Sequence, residues 1–177
     1  MPKSESNFIY KGMVFLFKIR DFFKPRNVIL KEVGIKPGFL VLDYGCGPGG
    51  YIIPVTELIG EFGKIYALDV HPLAIQMVQN LIVKKQLKNV ETIHSDCKTG
   101  LLDNSIDVVL LYDTFHALNN QNDVLNELHR VLELDGILSF SDHHMKNDEI
   151  LSKVTNQGLF KLLKKGKKTY SFTKLNR

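Results

Sequence analysis

No stretch of this 177-residue chain stays apolar long enough to cross a membrane. The longest such run near the N-terminus, Met13 to Phe17, falls far short of the about 20 residues a span requires. No small-residue cleavage site follows it, so a secretory leader is not expected. Cysteine is scarce: the two residues, at 46 and 97, suit a reduced, cytoplasmic protein better than a disulfide-stapled one. Acid is missing from residues 161–177, which carry seven Lys/Arg. The first 160 residues hold 16 basic against 19 acidic groups, so the net charge of +4 belongs to the tail. With 44% hydrophobic and 24% charged residues, the chain suits one compact domain with a substantial core, and nothing suggests a second.

The most informative stretch runs Val41-Leu42-Asp43-Tyr44-Gly45-Cys46-Gly47-Pro48-Gly49-Gly50-Tyr51: a short apolar strand, an acid two positions before a glycine, then a glycine-dense turn opening a helix. Glycines at 45, 47 and 49 let the backbone take positive φ and approach a ligand closely. The following helix presents free N–H groups and its positive dipole end there.

This spacing resembles motif I, acid-x-Gly-x-Gly-x-Gly, of the class I S-adenosylmethionine-dependent methyltransferases. With three further motifs the resemblance covers roughly residues 27–177. The type 11 group of ubiquinone/menaquinone biosynthesis methyltransferases and the arsenite methyltransferase-like enzymes are the similar subfamilies. Gly45, Gly47 and Gly50 also satisfy G-x-G-x-x-G, the dinucleotide fingerprint. Asp43 favours the methyl donor, because a carboxylate there can meet the ammonium of the methionine moiety, whereas a pyrophosphate gains nothing from it. A chain of 177 residues also lacks room for a second mononucleotide half and a substrate domain.

The remaining pattern alternates strand and helix. Strands are expected at Phe39–Tyr44, Lys64–Val70, Val90–His94, Ile106–Tyr112 and Ile137–Asp142, the last entered by a turn at Leu134-Asp135-Gly136. Helices are expected from the glycine turn to about Ile59, from Pro72 with the stripe Ala74, Ile75, Val78, Leu81 and Ile82, from about Asn122, and after an Asn147 cap. Leu159–Leu163 and Thr169–Leu175 read as a hairpin around Lys164-Lys165-Gly166-Lys167-Lys168, whose lysines protect an edge strand from pairing with other chains. The βαβ rhythm predicts an α/β fold, a parallel sheet with helices on both faces. The resemblance implies the Rossmann-like class I methyltransferase fold: seven strands in the order 3-2-1-4-5-7-6, mostly parallel, with an antiparallel terminal strand.

The ligand of such a sheet lies beyond the carboxyl ends of the strands. The resemblance places S-adenosyl-L-methionine there, against Asp43, Gly45, Cys46, Gly47 and Gly49. Asp69 would accept from the ribose hydroxyls, although it also reads as an acidic cap for the helix at Pro72. Val70 and His71 would flank the adenine or ribose by position, His71 as a packing residue. Asp96 with Cys97 resembles motif III, which holds the adenine. Motif IV, Asp107 to Leu118, would put Leu111, Tyr112 and Asp113 beside the methyl group. On the acceptor side Asp113, His116 and His143 are the candidates, His116 as a base if the acceptor must lose a proton. Asp113, Asp142, His143 and His144 also read as a divalent-metal alternative of the catechol-methyltransferase kind, although no metal is expected. Arsenite chemistry is not expected, since no cysteine lies outside the cofactor motifs.

Residues 1–26 are expected to form an amphipathic helical lid and 27–177 the methyltransferase domain. Phe8, Ile9, Met13, Phe15, Leu16, Phe17, Ile19, Phe22 and Phe23 crowd into 16 residues interleaved with Lys11, Lys18, Arg20 and Lys24. Such a segment suits an acceptor cover, a peripheral membrane contact or a dimer contact. The expectation is a cytoplasmic enzyme, monomer or homodimer, that methylates a small molecule, with nucleic acid not expected as a partner. A catalytically inactive cofactor-binding protein and an NAD-binding oxidoreductase are the alternatives.

Overall fold

A computed structural model describes residues 26–176, so the expected lid lies outside the described residues except for Arg26. The elements are α1 (Asn27–Val33), β1 (Leu40–Tyr44), α2 (Ile52–Ile59), β2 (Lys64–Asp69), α3 (Pro72–Lys85), β3 (Val90–His94), β4 (Ile106–Tyr112), a 3-10 turn (Phe115–Ala117), α4 (Gln121–Val131), β5 (Leu132–Ser141), α5 (Asn147–Thr155), β6 (Phe160–Lys165) and β7 (Tyr170–Lys174). One seven-stranded sheet has the order β3-β2-β1-β4-β5-β7-β6. β1 pairs in parallel with β2 and β4, β2 with β3, and β4 with β5; β7 runs antiparallel to both β5 and β6. The five parallel strands therefore end along one edge, and the chain doubles back on itself there.

Alternation along β1 sorts the core. Leu42 and Tyr44 join Val124, Leu125, Leu128 and Val131 of α4 and Ile150 and Val154 of α5 on one face. Val41 joins Leu30 and Val33 of α1, Ile52, Val55 and Ile59 of α2, and Val78 of α3 on the other. β4, covered on both faces, is buried at every position but Asp107, as its nearly unbroken apolar run requires. Each fully buried aliphatic side chain here contributes about 1.5–3 kcal/mol.

Three local expectations need correction. Leu134-Asp135-Gly136 does not precede a separate strand: β5 begins at Leu132, opposite Ile106, and Ile137 is already opposite Val108. The surplus residues are accommodated as a bulge within the pairing, because Leu132 still has a buried partner to meet. Asn147 is not the cap of α5 but its first residue. Lys146 precedes it without a side-chain cap bond, and Asp148 and Glu149 in the first turn offset the helix dipole. His71 does more than pack: it is the N-cap of α3, its Nδ1 accepting from the Leu73 N–H at 3.2 Å, with Pro72 first in the helix. The C-terminal hairpin runs as expected, and β6 is exposed from Lys161 to Lys165 at the sheet edge.

Candidate functional site

Beyond the ends of β1 to β4 lies a cavity of ≈ 520 Å³, within the about 300–1,000 Å³ of small-molecule sites. Tyr44 and Gly45 line it from β1; Asp69 and Val70 from β2; Ser95 and Asp96 from beyond β3. Asp113, Thr114 and Ala117 close it after β4. The sheet order explains the convergence, because β1 sits between β2 and β4 and the chain leaves it in one direction only. Of the expected residues, Gly45, Asp69, Val70, Asp96 and Asp113 are thus brought together. Asp43, Cys46, Gly47, Gly49, Cys97, Tyr112, His116 and His143 lie outside the lining.

The glycine turn is stitched to β2. The Gly45 and Cys46 N–H groups both donate to the Leu68 carbonyl, at 2.8 and 2.9 Å. The Gly47 N–H donates to Asp69 Oδ2 at 2.9 Å, and the His71 N–H to Asp69 Oδ1 at 2.8 Å. An ionised carboxylate has about four lone-pair sites, so two remain for a ligand. The capping role read for Asp69 falls to the His71 ring. Gly45 has φ +80°, and any Cβ there would overlap the Thr114 side chain, so the bare backbone of the turn packs directly against Thr114 of the β4 loop.

Asp43 is held away from the cavity. It shares the Val41 face of β1 and is 2% exposed, and its Oδ2 has no hydrogen-bond partner. Burial pushes its carboxyl up to about 7, with the Asp69 charge adding to the rise and Arg26 opposing it. The Arg26 guanidinium stacks 4.3 Å over the Tyr51 ring and fills the space a side chain at Gly50 would occupy. Tyr112 lies on this face too, its ring 5.1 Å from Tyr51 and its hydroxyl 2.7 Å from Ser139 Oγ. Burial raises the Cys46 thiol well above its usual range, which keeps it protonated and inert.

On the loop after β3, the Tyr44 hydroxyl donates to the Asp96 carbonyl at 3.0 Å. Glu127 of α4 accepts from the Thr99 N–H and hydroxyl at 2.8 and 2.6 Å, and from Arg130 at 2.7 Å. The Arg130 bond above all pulls the Glu127 carboxyl down to about 2. Arg130 also donates to the Leu101 carbonyl and to Asp103, so the loop after Asp96 is bolted to α4.

Past β4 and β5, Asp142 holds His116 and Asp113 holds His143. The carboxylates and imidazoles pair off rather than converge, and among the described residues no group of three or more His, Cys, Asp or Glu side chains is arranged to hold a metal ion. Asp113 sits at φ +51°, a conformation a non-glycine residue adopts at a cost, held by its N–H donating to the Ser141 carbonyl at 2.7 Å. Sequence reasoning missed Arg26, Thr114 and the Asn119-Asn120 pair at the cavity mouth. Thr114 was within reach, since it follows β4 by two residues; Arg26 carried no local signal.

The chain has known counterparts. A family model described as a methyltransferase domain matches residues 35–176. Demethylmenaquinone methyltransferase of Geobacillus stearothermophilus is 28% identical over 129 residues, 72% of this chain and 55% of that protein. The same enzyme of Listeria monocytogenes is 30% identical over 125 residues, 70% of this chain and 53% of that protein. The chain spans about half the length of the curated relatives it matches. The crystal structure of a SAM-dependent methyltransferase from Aquifex aeolicus superposes with a TM-score of 0.74 at 27% identity, covering 89% of this chain and 96% of that one.

Proposed function

Starting from the chain's membership of the methyltransferase-domain family, which the match over residues 35–176 establishes, we propose that it transfers a methyl group from S-adenosylmethionine to a small-molecule acceptor. One observation carries this reading: Asp69 and Asp96 line a single cavity with Gly45, at the ends of three adjacent parallel strands. The residues suit the donor. Asp69 keeps acceptor capacity for ribose hydroxyls, exposed Asp96 suits an adenine amino group, and the orphaned Oδ2 of buried Asp43 suits a nearby ammonium. Gly45, Cys46, Gly47, Gly49, Val70, Cys97 and Tyr112 form the surrounding backbone and packing of the proposed site.

When bound, the donor supplies an electrophilic methyl carbon. The chain's task is then to hold an acceptor in line, at about 3 Å, in a site emptied of water. The family match does not favour a dinucleotide oxidoreductase or a protein that only binds cofactor. The relatives are named for demethylmenaquinone, which makes a hydroxylated naphthalene a sensible first acceptor to try. No helix among the described residues is long and apolar enough to cross a membrane. We place the enzyme in the cytoplasm, as monomer or homodimer, without nucleic-acid partners, and with residues 1–26 as a lid able to touch a membrane surface.

Thermal shift tests the reading. S-adenosylhomocysteine at 1,000 times its Kd adds about 4 kcal/mol of stability, and NAD should add none. Stabilisation by NAD alone would refute it.

A further inference from the structure

Beyond β4 and β5 two carboxylates are exchanged between neighbouring strands. Asp113 follows β4 yet grips His143, which lies after β5; Asp142 follows β5 yet grips His116, which lies after β4. The exchange follows from register, since Tyr112 and Ser141 pair directly and the next residue on each strand is the aspartate. The two pairs are not equivalent. His143 and Asp113 have side chains 60% and 32% exposed, so water screens them. The Asp142 side chain is 0% exposed, and that of His116 32%.

Asp142 fixes both the position and the tautomer of its histidine. Oδ2 lies 2.9 Å from His116 Nδ1 and also accepts the His116 main-chain N–H at 3.1 Å. Oδ1 accepts the His144 N–H at 3.1 Å. With both oxygens already accepting, Nδ1 is the ring nitrogen that carries the proton. Nε2 then presents a lone pair, and among the described residues it has no partner. The His144 ring stacks 4.2 Å from that of His116 and 3.9 Å from that of His143, so the groups facing His116 are Asp142, His144 and, one ring further, the His143–Asp113 pair. Thr114 and Ala117, on either side of His116 in the same turn, line the cavity.

Building on the methyl-transfer reading, we propose that His116 is the general base for a hydroxyl-bearing acceptor, with Asp142 as its positioning residue. The acceptor O–H bond breaks and its proton passes to His116 Nε2. The electron pair released to oxygen drives formation of the new bond to the methyl carbon, from oxygen or from a conjugated ring carbon. The carbon–sulfur bond breaks with its pair remaining on sulfur, which leaves as the neutral thioether. Methylation at carbon also releases the ring proton from the methylated position to water while the oxygen takes one back, restoring the hydroxyl. The imidazolium, stabilised by the buried Asp142 carboxylate, returns its proton to solvent through its exposed edge. An amine or thiolate acceptor, already nucleophilic, has no use for such a pair.

Two measurements decide it. Long-range 1H–15N spectra of the full chain labelled on histidine should show His116 as the Nδ1–H tautomer, converting to Nε2–H in Asp142→Asn. An Nε2–H tautomer in the parent overturns the proposal, and this readout needs neither acceptor nor cofactor. The second uses 1,4-dihydroxynaphthalene and 1-naphthylamine as probes. The parent should methylate the first, and His116→Asn and His116→Gln should lose about 100-fold or more in rate. Both variants should keep the parent's S-adenosylhomocysteine shift, and the acid limb of the kcat/KM profile should flatten. Methylation of the amine alone or of neither probe, or full rate in both variants, overturns the proposal. Loss of the S-adenosylhomocysteine shift in the parent would instead sink the methyl-transfer reading and leave the tautomer result standing.

Discussion

The main-chain N–H of Gly47 donates to Asp69 Oδ2 at 2.9 Å, tying the middle of the glycine turn to the end of β2. Backbone that would hold the methionine moiety and the carboxylate proposed for the ribose are therefore parts of one rigid unit. Asp69→Ala is expected to erase the S-adenosylhomocysteine shift, about 10 °C at saturation for a chain of this size, while circular dichroism stays unchanged. An undiminished shift would place the ribose elsewhere.

With the donor's ammonium next to Asp43, as proposed, donor binding should depend on pH. Its carboxyl titrates near 7 because burial disfavours the charge, and a cationic ammonium beside it would favour ionisation. Affinity for S-adenosylhomocysteine should therefore rise as pH increases through 7, with proton release detectable by calorimetry in buffers of different ionisation enthalpy. A pH-independent affinity would separate Asp43 from the ligand.

The same residue should cost the unliganded fold stability. A carboxyl raised above its unfolded value contributes less as pH climbs from the ordinary carboxylate range to the folded value, and little changes beyond. Asp43→Asn should consequently raise Tm at pH 8, by about 2–4 °C per kcal/mol recovered, while weakening donor binding. Denaturation scans at pH 5 and pH 8 measure the difference, which should be smaller at pH 5.

Glu32 ties α1 to the C-terminal hairpin. Its carboxylate accepts from the Lys167, Lys168 and Thr169 N–H groups at 3.2, 3.1 and 3.0 Å and from the Thr169 hydroxyl at 2.9 Å. Burial opposes the charge, but these bonds outweigh it and the carboxyl titrates below its usual value. Its contribution is thus present above the unfolded carboxylate value and lost as pH falls through the lower folded one. Glu32→Ala should destabilise by about 1–3 kcal/mol in urea unfolding at pH 7, with a smaller penalty at pH 3.

Glu127 should act on the loop rather than on the chemistry. Glu127→Gln removes the charge that binds Arg130 while keeping an acceptor for Thr99. Faster hydrogen exchange over residues 97–103 and weaker S-adenosylhomocysteine binding are expected, with an unchanged pH profile for turnover. A changed profile would give Glu127 a part in proton transfer.

Much of this was legible because it is local. Alternating apolar runs separated by glycine and proline place most strands and helices within a residue or two, and the acids at 69 and 96 fall at and just past strand ends by spacing alone. Where local reading slipped, a distant partner had intervened. β5 starts early because Leu132 meets Ile106, and Asp43 leaves the cavity because alternation along β1 turns it toward Arg26 and the other face.

By itself the chain determined that it would form an α/β domain, where most of its strands and helices fall, and which acids stand at strand ends, since each depends on neighbours a few residues away. Tertiary structure decided which side chains share a charge or a proton. His116 meets Asp142 across 26 residues and Glu32 meets Thr169 across 137, contacts that exist only once β4 lies beside β5 and the hairpin packs against α1. No spacing rule reaches that far, because the separation of such partners along the chain says nothing about which strands the sheet makes adjacent.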